Sequence, residues 1–349
     1  MCCNPGIYFE NGIGTSPGTK FAIQRVYSAA IPKYPVFSPP FYDFEHVDTP
    51  ILKRDHPRNI LVAEDYDSRD VETIVADKVF DFIDEHAGKD KPFFLYYAAR
   101  LGHSPFNTPD SYRNKTAAGI VGESIMLTDE VVGTIMDKLK HHGIDNNTLV
   151  VFTSDNGSDD GEIIKKLYGH DQNGVDFRWL EHGKPWSLRG KKNDIWDGGH
   201  RVPFILRWPG KIPARVDQTN VVSLLDVYAT MADILGVERK CYEAPDSRSL
   251  WPLLTQQVTK ITSNGVIHHG MNAATVAFRR NQFKWIPHHN ELFNMENDLG
   301  EQNNLIGQLD AFSNPYSYLA SAMNNTLNEM LTTIYAREIR TAEGSLGIC

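Results

Sequence analysis

The sequence predicts an α/β fold in which helices sandwich a mostly parallel or mixed sheet, followed by a smaller C-terminal α+β domain with an antiparallel sheet. In the first part of the chain, short apolar runs of strand length alternate with amphipathic helical segments, which is typical of α/β proteins. Beyond residue 245, several short strand-like segments and one closing helix are typical of a small α+β domain. We therefore expect two domains, over residues 1–245 and 246–349.

The predicted elements of the first domain follow one another in a regular order. Residues 1 to about 60 are rich in Gly, Pro, Tyr and Phe and show no sustained period. From Val71 to Ile83 apolar residues recur at helical spacing, and Gly88 ends this helix. The continuous apolar run "KPFFLYYAA" predicts a strand that is buried on both faces. A second helix is predicted over residues 120–142, and it is followed by a buried strand in "NNTLVVFTS". Another buried strand is predicted over residues 202–208 and a third helix over residues 222–236.

The rest of the chain contains one long loop and the elements of the second domain. The loop from Ser158 to Asp197 has a length that is usually found in functional or in disordered loops. The segment "APDSRSLWPLL" predicts a linker between the domains. After it, "VIHHGM", "ATVAFRR" and "FKWIPH" predict short strands, and a closing helix is predicted over about residues 316–339.

Composition and charge exclude several classes of protein. The chain has 349 residues, a net charge of −9, 41% hydrophobic residues and 23% charged residues, which are ordinary values for a globular protein and exclude disorder, collagen and coiled coil. The acidic balance argues against a nucleic-acid groove or a polybasic membrane patch. No apolar run reaches the length that crosses a bilayer. We therefore expect no nucleic-acid partner and no membrane span.

The cysteines and the first residues give little information on compartment. The four cysteines contain no CxxC pair, so neither a structural zinc site nor a disulfide framework is indicated for Cys2, Cys3, Cys241 and Cys349. Met1 is not followed by a basic and then an apolar stretch, so no signal peptide is visible. Localisation and oligomeric state are not indicated by these residues.

Asp155 and Asn156 are candidate metal ligands. They directly follow a predicted strand and offer one anionic and one neutral oxygen, while Gly157 allows a sharp turn. Hard cations such as Ca²⁺ and Mg²⁺ take such oxygens. The alternative is a simple tight turn, since Asp-Asn-Gly is also common turn chemistry.

His103 and a group of basic residues are candidates for binding an anionic ester. His103 lies just beyond another predicted strand, where an imidazole can contact a leaving-group oxygen, although a lone loop His is more often a surface residue. Lys192 lies in "LRGKKNDIWDGGHRVP", whose basic residues form a positive rim for a phosphate or sulfate or, alternatively, a solvated loop. Because strand ends of a parallel sheet share one edge, we expect Asp155, His103 and Lys192 to converge.

Five stretches of the chain together closely resemble the sulfatase family, and in particular its arylsulfatase-like members within the alkaline-phosphatase superfamily. They cover most of residues 67–305 in the order found in the family, and they read "KPFFLYYAARLGHSPFNTPDSY", "DEVVGTIMDKLKHHGIDNNTLVVFTSDNGSD", "SLRGKKNDIWDGGHRVPFILRWPGKI", "VVSLLDVYATMADILGV" and "ELFNMENDLGEQNNL". The resemblance implies an alkaline-phosphatase-like fold and hydrolysis of a sulfate ester to an alcohol and sulfate with one bound Ca²⁺.

The resemblance also implies roles for individual residues. Asp155 and Asn156 match the family's second pair of calcium ligands. His103, in an H-x-P setting, matches the His that contacts the sulfate ester, and Lys192 matches the sulfate-binding Lys after the Leu-Arg turn. Calcium and these cationic side chains would neutralise the charge of the ester and of the transition state.

The family's nucleophile has no match in this sequence. It is a formylglycine made from the first residue of a Cys-x-Pro-Ser-Arg motif, preceded by an Asp-Asp metal pair. Cys3 has the Cys-x-Pro shape, but Gly6 and Ile7 stand where Ser and Arg are required, so Cys3 is not assigned as the nucleophile. We expect a sulfatase lacking its N-terminal part, with half of the calcium shell, and inactive or nearly so as this chain.

Two alternatives stay open at this point. The same metal rim would serve a phosphoester or phosphonate hydrolase of the superfamily, and a cationic cleft without a nucleophile would suit a catalytically dead binder of sulfated glycans. The expected partner is a sulfated small molecule or glycan. The resemblance implies a lysosomal, secreted or periplasmic setting.

Overall fold

The structure is a computed structural model, and it describes ten stretches of the chain. None of the helices in these stretches is both long and apolar enough to cross a membrane. The described stretches are residues 22–25, 69–103, 106, 108–116, 119–158, 188–240, 243–261, 265–271, 275–307 and 314–342.

The chain divides into two compact units, and each unit consists of two separate segments of the sequence. The first comprises Met1–Thr148 and Gly161–Trp179, and the second comprises Leu149–Asp160 and Leu180–Cys349. The boundary predicted near residue 245 therefore does not coincide with this division into compact units, and the domains over 1–245 and 246–349 stay a prediction.

The first unit contains two long helices and a pair of parallel strands. Its helices pack through Ala76, Leu127 and Val131, which are almost fully buried. Strand β1 pairs with strand β2 in parallel, with Ala22 opposite Phe93. The element bounds are β1 Ala22–Arg25, α1 Val71–His86, β2 Phe93–Tyr96 and α2 Gly119–His141.

Both helices of the first unit lie where the sequence predicts them. Gly88 and Gly143 follow α1 and α2 with φ of 77° and 67°, a conformation that glycine adopts without steric cost.

The burial of β2 differs from the prediction. Phe94 is 47% exposed and Tyr96 is 57% exposed, so one face of the strand is open in the structure. An apolar run does not say which elements distant in sequence will cover each face, and this is why burial on both faces was predicted wrongly.

The second unit begins with an antiparallel pair of strands. Strand β3 pairs with strand β4 so that Thr153, the last residue of β3, lies opposite Phe204, the first residue of β4. Among the described strands, this antiparallel pair and the parallel pair β1-β2 are two separate two-stranded sheets. These two strands were predicted to be buried, and that prediction is wrong, since Phe152 is 37% and Ile205 is 58% exposed. The element bounds are β3 Val150–Thr153, α3 Asp197–His200, β4 Phe204–Arg207, α4 Asp226–Ile234 and α5 Trp251–Leu254.

The segment predicted as a linker contains a helical turn, α5, and packs against α4. Asp226 is fully buried, and its carboxylate accepts hydrogen bonds from the N–H of Ser223 and the N–H of Arg248, each at 2.9 Å. The Arg248 guanidinium also pairs with Asp226 at 3.0 Å. The sequence misled here because Ser, which favours loops, serves in this segment as a hydrogen-bond partner of helix starts: Ser247 Oγ accepts the N–H of Ala229 in α4 at 2.9 Å, and Ser249 Oγ accepts the N–H of Trp251 in α5 at 3.2 Å.

A four-stranded antiparallel sheet with a long helix completes the second unit, and it confirms the antiparallel sheet predicted near the C-terminus. The strands follow in the order β5-β6-β7-β8. One face packs on the closing helix through a core that includes Phe278, Leu292 and Leu327. The other face packs on Ile195 and Trp196, which belong to the loop before β4. The element bounds are β5 Val266–His269, β6 Val276–Arg280, β7 Phe283–Ile286, β8 Glu291–Asn294 and α6 Pro315–Ala342.

Candidate active site

The candidate metal ligands lie in the turn that follows β3. Asp155 is exposed and Asn156 is half-buried. Ser154 Oγ donates to the carbonyl of Asn156 at 3.0 Å, and Asn156 Nδ2 donates to the carbonyl of Gly157 at 2.7 Å. These bonds hold the turn and engage the amide nitrogen of Asn156. The side-chain oxygen of Asn156 is therefore the atom that a cation would contact.

Glycines bring this turn directly against the loop that precedes β4. The N–H of Gly157 donates to the carbonyl of Gly199 at 2.9 Å, and a Cβ on Gly157 would lie only 1.8 Å from the carbonyl oxygen of Gly198. Gly198 is also closely packed, since a Cβ on Gly198 would lie 2.1 Å from the carbonyl oxygen of Gly190. Backbones approach this closely only where side chains are absent. The glycines of "SDNGS" and "WDGGH" are therefore required by packing.

The same contact brings the backbone of Lys192 to the metal-ligand turn. The N–H of Lys192 donates to the carbonyl of Ser158 at 2.8 Å. The antiparallel pairing of β3 with β4 explains the meeting, because the end of β3 and the approach to β4 lie at the same edge. The structure thus brings the loop of Asp155 and Asn156 together with the loop of Lys192, within one unit.

The residues after Lys192 form a closed turn. The N–H of Asp194 donates to the carbonyl of Lys191 at 2.9 Å, and the N–H of Lys191 donates to Asp194 Oδ2 at 3.1 Å. Asn193 has a φ of 76°, a left-handed conformation that Asn adopts more readily than most residues. The backbone on both sides of Lys192 is therefore fixed by hydrogen bonds.

A buried ion cluster anchors this loop to the C-terminal sheet, and the sequence reasoning missed it. The ammonium of Lys284, in β7, is fully buried and lies 2.8 Å from Asp197 Oδ1 and 2.8 Å from Glu301 Oε1. The N–H of Asp197 donates to Glu301 Oε2 at 2.8 Å. One signal was available, since Lys284 is a lone charge inside the apolar strand "FKWI". A charge in such a position is expected only where it is paired.

The pKa values of the two carboxyl groups reflect burial and the shared ammonium. Burial acts to raise the pKa of Asp197, but the charge of Lys284 and its hydrogen bond to the carboxylate outweigh burial, so the pKa lies below its ordinary value. Burial raises the pKa of Glu301 above its ordinary value, and Lys284 offsets only part of that effect. Asp197 is thus the carboxylate that the ammonium holds most firmly in its charged form.

Two histidines stack beside this ion cluster. The rings of His200 and His268 are stacked with centroids 4.4 Å apart, and His200 Nε2 is 3.0 Å from the carbonyl of His269. Burial, together with the nearby ammonium of Lys284, holds the pKa of His268 well below its usual range. Burial also lowers the pKa of His200. Both rings are therefore neutral at neutral pH.

His103 lies in the other compact unit, in the loop after β2. It is exposed, and its N–H donates to the carbonyl of Arg100 at 3.2 Å. Two helix residues hold this loop: Glu72 Oε2 accepts the N–H of Arg100 and Ser124 Oγ accepts the N–H of Gly102, each at 3.0 Å. A signal for Glu72 was available, since it is a carboxylate on the apolar side of the predicted helix. The convergence of His103 with Asp155 and Lys192 stays a prediction.

The described residues fit a hard cation in chemistry but not in number. Asp155 and Asn156 supply two oxygens, whereas Ca²⁺ takes about six to eight. Among the residues that the structure describes, no group of three or more His, Cys, Asp or Glu side chains is arranged to hold a metal ion. A complete calcium site therefore requires donors beyond these two residues.

Comparison with known proteins gives one family. The sulfatase family model matches residues 34–237, which is more than half of the chain. The N-acetylgalactosamine-6-O-sulfatase of Bacteroides thetaiotaomicron is 29% identical over 263 residues, covering 68% of this chain and 48% of that protein. An arylsulfatase of Hemicentrotus pulcherrimus is 30% identical over 198 residues, covering 56% of this chain and 32% of that protein. This chain spans about half the length, or less, of these relatives.

Solved structures show the same fold. A structure described under the metabolism of multiple glycosaminoglycans by Bacteroides thetaiotaomicron has a TM-score of 0.63 and 25% identity, covering 76% of this chain and 55% of that chain. A sulfatase of a Pseudoalteromonas species has a TM-score of 0.58 and 24% identity, covering 75% of this chain and 54% of that chain. These similarities confirm the predicted α/β fold with its C-terminal antiparallel sheet.

Proposed function

Because this chain belongs to the sulfatase family, we propose that it is part of a sulfuric ester hydrolase that cleaves a sulfate ester to an alcohol and inorganic sulfate. The observation that carries the proposal is the hydrogen-bonded contact between two loops, in which Lys192 N–H donates to Ser158 and Gly157 N–H donates to Gly199. The first loop carries Asp155 and Asn156, and the second carries Lys192. An anionic ester bound to a cation requires this combination of groups.

Each of the four predicted site residues has a role in the proposal. Asp155 and Asn156 bind Ca²⁺ through their side-chain oxygens, and the cation supplies charge neutralisation at the ester oxygens. The ammonium of Lys192 binds a non-bridging sulfate oxygen. His103 contacts the ester and assists departure of the alcohol by donating a proton to its leaving oxygen.

No nucleophile is assigned within this chain, because the sequence contains no Cys-x-Pro-Ser-Arg motif. The family resemblance implies a formylglycine nucleophile, which the complete enzyme supplies from outside this sequence together with further calcium ligands. We therefore expect the residues of this chain alone to bind a sulfate ester without appreciable turnover.

A sulfated sugar is the first ligand to test. The relative with the broadest match to this chain among those described above is named for a sulfated amino sugar, and it supports this choice. A phosphoester hydrolase of the same superfamily and a sulfated-glycan binder without catalysis make different predictions in the same experiment.

The experiment measures ligand affinity for the full chain by calorimetry, with and without Ca²⁺, for galactosamine 6-sulfate and for the matching 6-phosphate. The proposal predicts binding that prefers the sulfate to the phosphate in the presence of Ca²⁺, and weakening of about tenfold or more in Lys192→Met. The matched control is Lys211→Met, an exposed lysine beyond β4 in the same unit, which should leave the affinity unchanged.

Three results would contradict the proposal. Preference for the phosphate would favour the phosphoester hydrolase. Equal affinities of Lys192→Met and the unaltered chain would remove Lys192 from the site. The chain can also be mixed with the part of a family relative that it does not match. If the mixture binds the sulfate ester without releasing sulfate, the result would favour the glycan binder.

A further inference from the structure

The buried ammonium of Lys284 is costly to keep, and its position suggests a use. Lys284, Asp197 and Glu301 are each at most 5% exposed, and together they bring three charges out of water. Burying such a cluster rarely stabilises a fold more than apolar residues of the same volume would, whereas it does fix which groups lie next to each other. Two of the three residues belong to the C-terminal part of the chain, and Asp197 belongs to the loop of Lys192.

Asp197 is held through both its side chain and its backbone. Its carboxylate lies 2.8 Å from the ammonium of Lys284, and its N–H donates to Glu301 at 2.8 Å. The start of α3 is therefore attached at two atoms to the C-terminal sheet and to the turn after β8. Glu301 has a φ of 53°, an unusual conformation for Glu, which the surrounding bonds maintain.

The contacts continue from Asp197 to the candidate site without a gap. Gly198 and Gly199 directly follow Asp197, and they pack without side chains against the turn that contains Gly157. The N–H of Gly157 donates to the carbonyl of Gly199, and the N–H of Lys192 donates to the carbonyl of Ser158. A displacement of Asp197 would therefore move both loops relative to each other.

Other bonds hold the same loop along the same side. The N–H of Met271 donates to the carbonyl of Asn193 at 2.9 Å. The guanidinium of Arg189 lies 3.4 Å from the centroid of the Trp196 ring, and it donates to the carbonyl of Glu301 at 3.1 Å. The C-terminal sheet thus forms the support of this loop, with the charge cluster at its centre.

We infer that Lys284 is a positioning residue that acts through Asp197 to set the distance between Lys192 and the turn of Asp155 and Asn156. This inference rests on the proposed function, because that function gives Lys192 and Asp155 their ligands. Lys284 itself is buried and contacts neither the ester nor the cation. Its ammonium acts as an anchor that orients residues in contact with the ligand, as supporting residues do at metal and anion sites.

The experiment compares two isosteric variants that each remove one carboxylate from the same ammonium. Asp197→Asn changes the partner on the loop of Lys192, and Glu301→Gln changes the partner on the turn after β8. The Gln side chain keeps an oxygen that can accept the N–H of Asp197. Positioning predicts a large effect of the first change and a small effect of the second, whereas a merely stabilising role predicts similar effects of both.

Two readouts are measured on the full chain. The first is hydrogen exchange of peptides covering residues 154–158 and 188–200, compared with a peptide from β6. The second is the affinity for inorganic sulfate in the presence of Ca²⁺. We expect Asp197→Asn to raise exchange in the two loops but not in β6, and to weaken sulfate binding by about tenfold. If Lys284→Met folds, it should show the same rise in exchange and the same weakening of sulfate binding as Asp197→Asn.

A stability control separates loosening of the loops from general weakening. Leu327→Ala removes a fully buried side chain from the core between α6 and the sheet, far along the chain from both loops. It should lower the midpoint of thermal unfolding at least as much as Asp197→Asn, while sulfate affinity below that midpoint stays unchanged.

The possible results separate this inference from the proposed function. If the unaltered chain binds no sulfate, the proposed function fails, and the exchange data alone then decide whether the cluster anchors the loops. If the chain binds sulfate and Asp197→Asn binds it equally well, Lys284 is not a positioning residue. Equal weakening by Asp197→Asn, Glu301→Gln and Leu327→Ala would also overturn the inference.

Discussion

The amide of Gly157 donates a hydrogen bond to the carbonyl of Gly199 at 2.9 Å, although the two residues are far apart in the chain. This bond joins the turn of Asp155 and Asn156 to the loop of Lys192. It forms because β3 and β4 are antiparallel, so that the end of the first strand and the approach to the second lie side by side. The candidate site therefore depends on backbone contact as well as on charged side chains.

The first prediction concerns Gly157 itself. Gly157→Ala places a Cβ at 1.8 Å from the carbonyl oxygen of Gly198, a distance that forces the backbone to move. We expect the free energy of unfolding to fall by about 2 kcal/mol or more, as for other overpacked positions. Urea unfolding measures it. Gly133→Ala is the control, since the space around Gly133 in α2 is open and alanine there should be neutral or stabilising.

The second prediction concerns Glu72 and the loop of His103. Glu72 is buried; it accepts the N–H of Arg100 at 3.0 Å and the hydroxyl of Tyr97. Glu72→Ala leaves both donors without this partner, and we expect a loss of about 3 kcal/mol in the free energy of unfolding. Glu85→Ala on the same helix removes an exposed ion pair with Lys89 and should cost less than about 1 kcal/mol. Similar losses in the two variants would contradict the role of Glu72.

The third prediction is a dependence of stability on acid through His268. Burial holds the pKa of His268 well below its usual range, so the folded protein resists protonation that the unfolded chain accepts near pH 6.5. The unfolded state then binds more protons, and stability falls as the pH is lowered below that value, by about 1.4 kcal/mol per pH unit for this one residue.

His268→Phe tests this acid dependence while keeping a ring stacked on His200. Urea unfolding is compared between about pH 7 and about pH 5, where the variant should lose less stability than the unaltered chain. Parallel losses in the two proteins would show that His268 does not titrate differently in the folded and unfolded states.

The fourth prediction concerns stability in alkali. Burial and the hydrogen bond to Glu130 raise the pKa of Tyr112 to about 12. The folded state keeps the phenolic proton that the unfolded chain loses near pH 10, so this stabilising contribution is complete below pH 10 and is lost as the pH rises towards about 12. Ultraviolet absorbance of phenolate should show a step near pH 12 that is missing in Tyr112→Phe. If the step that is missing in Tyr112→Phe lies instead at the ordinary pKa of tyrosine, near pH 10, the prediction is contradicted.

The helices were predictable from the sequence because their signals are local. Apolar spacing and a terminal glycine placed α1 and α2 within a few residues of their observed bounds. The short strands near the C-terminus were predictable for the same reason. The burial of β2, β3 and β4 was not, because the elements that cover a strand come from distant parts of the chain.

The sequence by itself determined the family, the α/β class and the identity of Asp155, Asn156, His103 and Lys192 as candidates, since these follow from residue types in a fixed order. The tertiary structure decided that the loops of Asp155 and Lys192 meet through glycines. It also decided that Lys284 is buried between Asp197 and Glu301. Close backbone approach and charge pairing join residues that lie far apart in the chain, and only the folded arrangement shows which of them become neighbours.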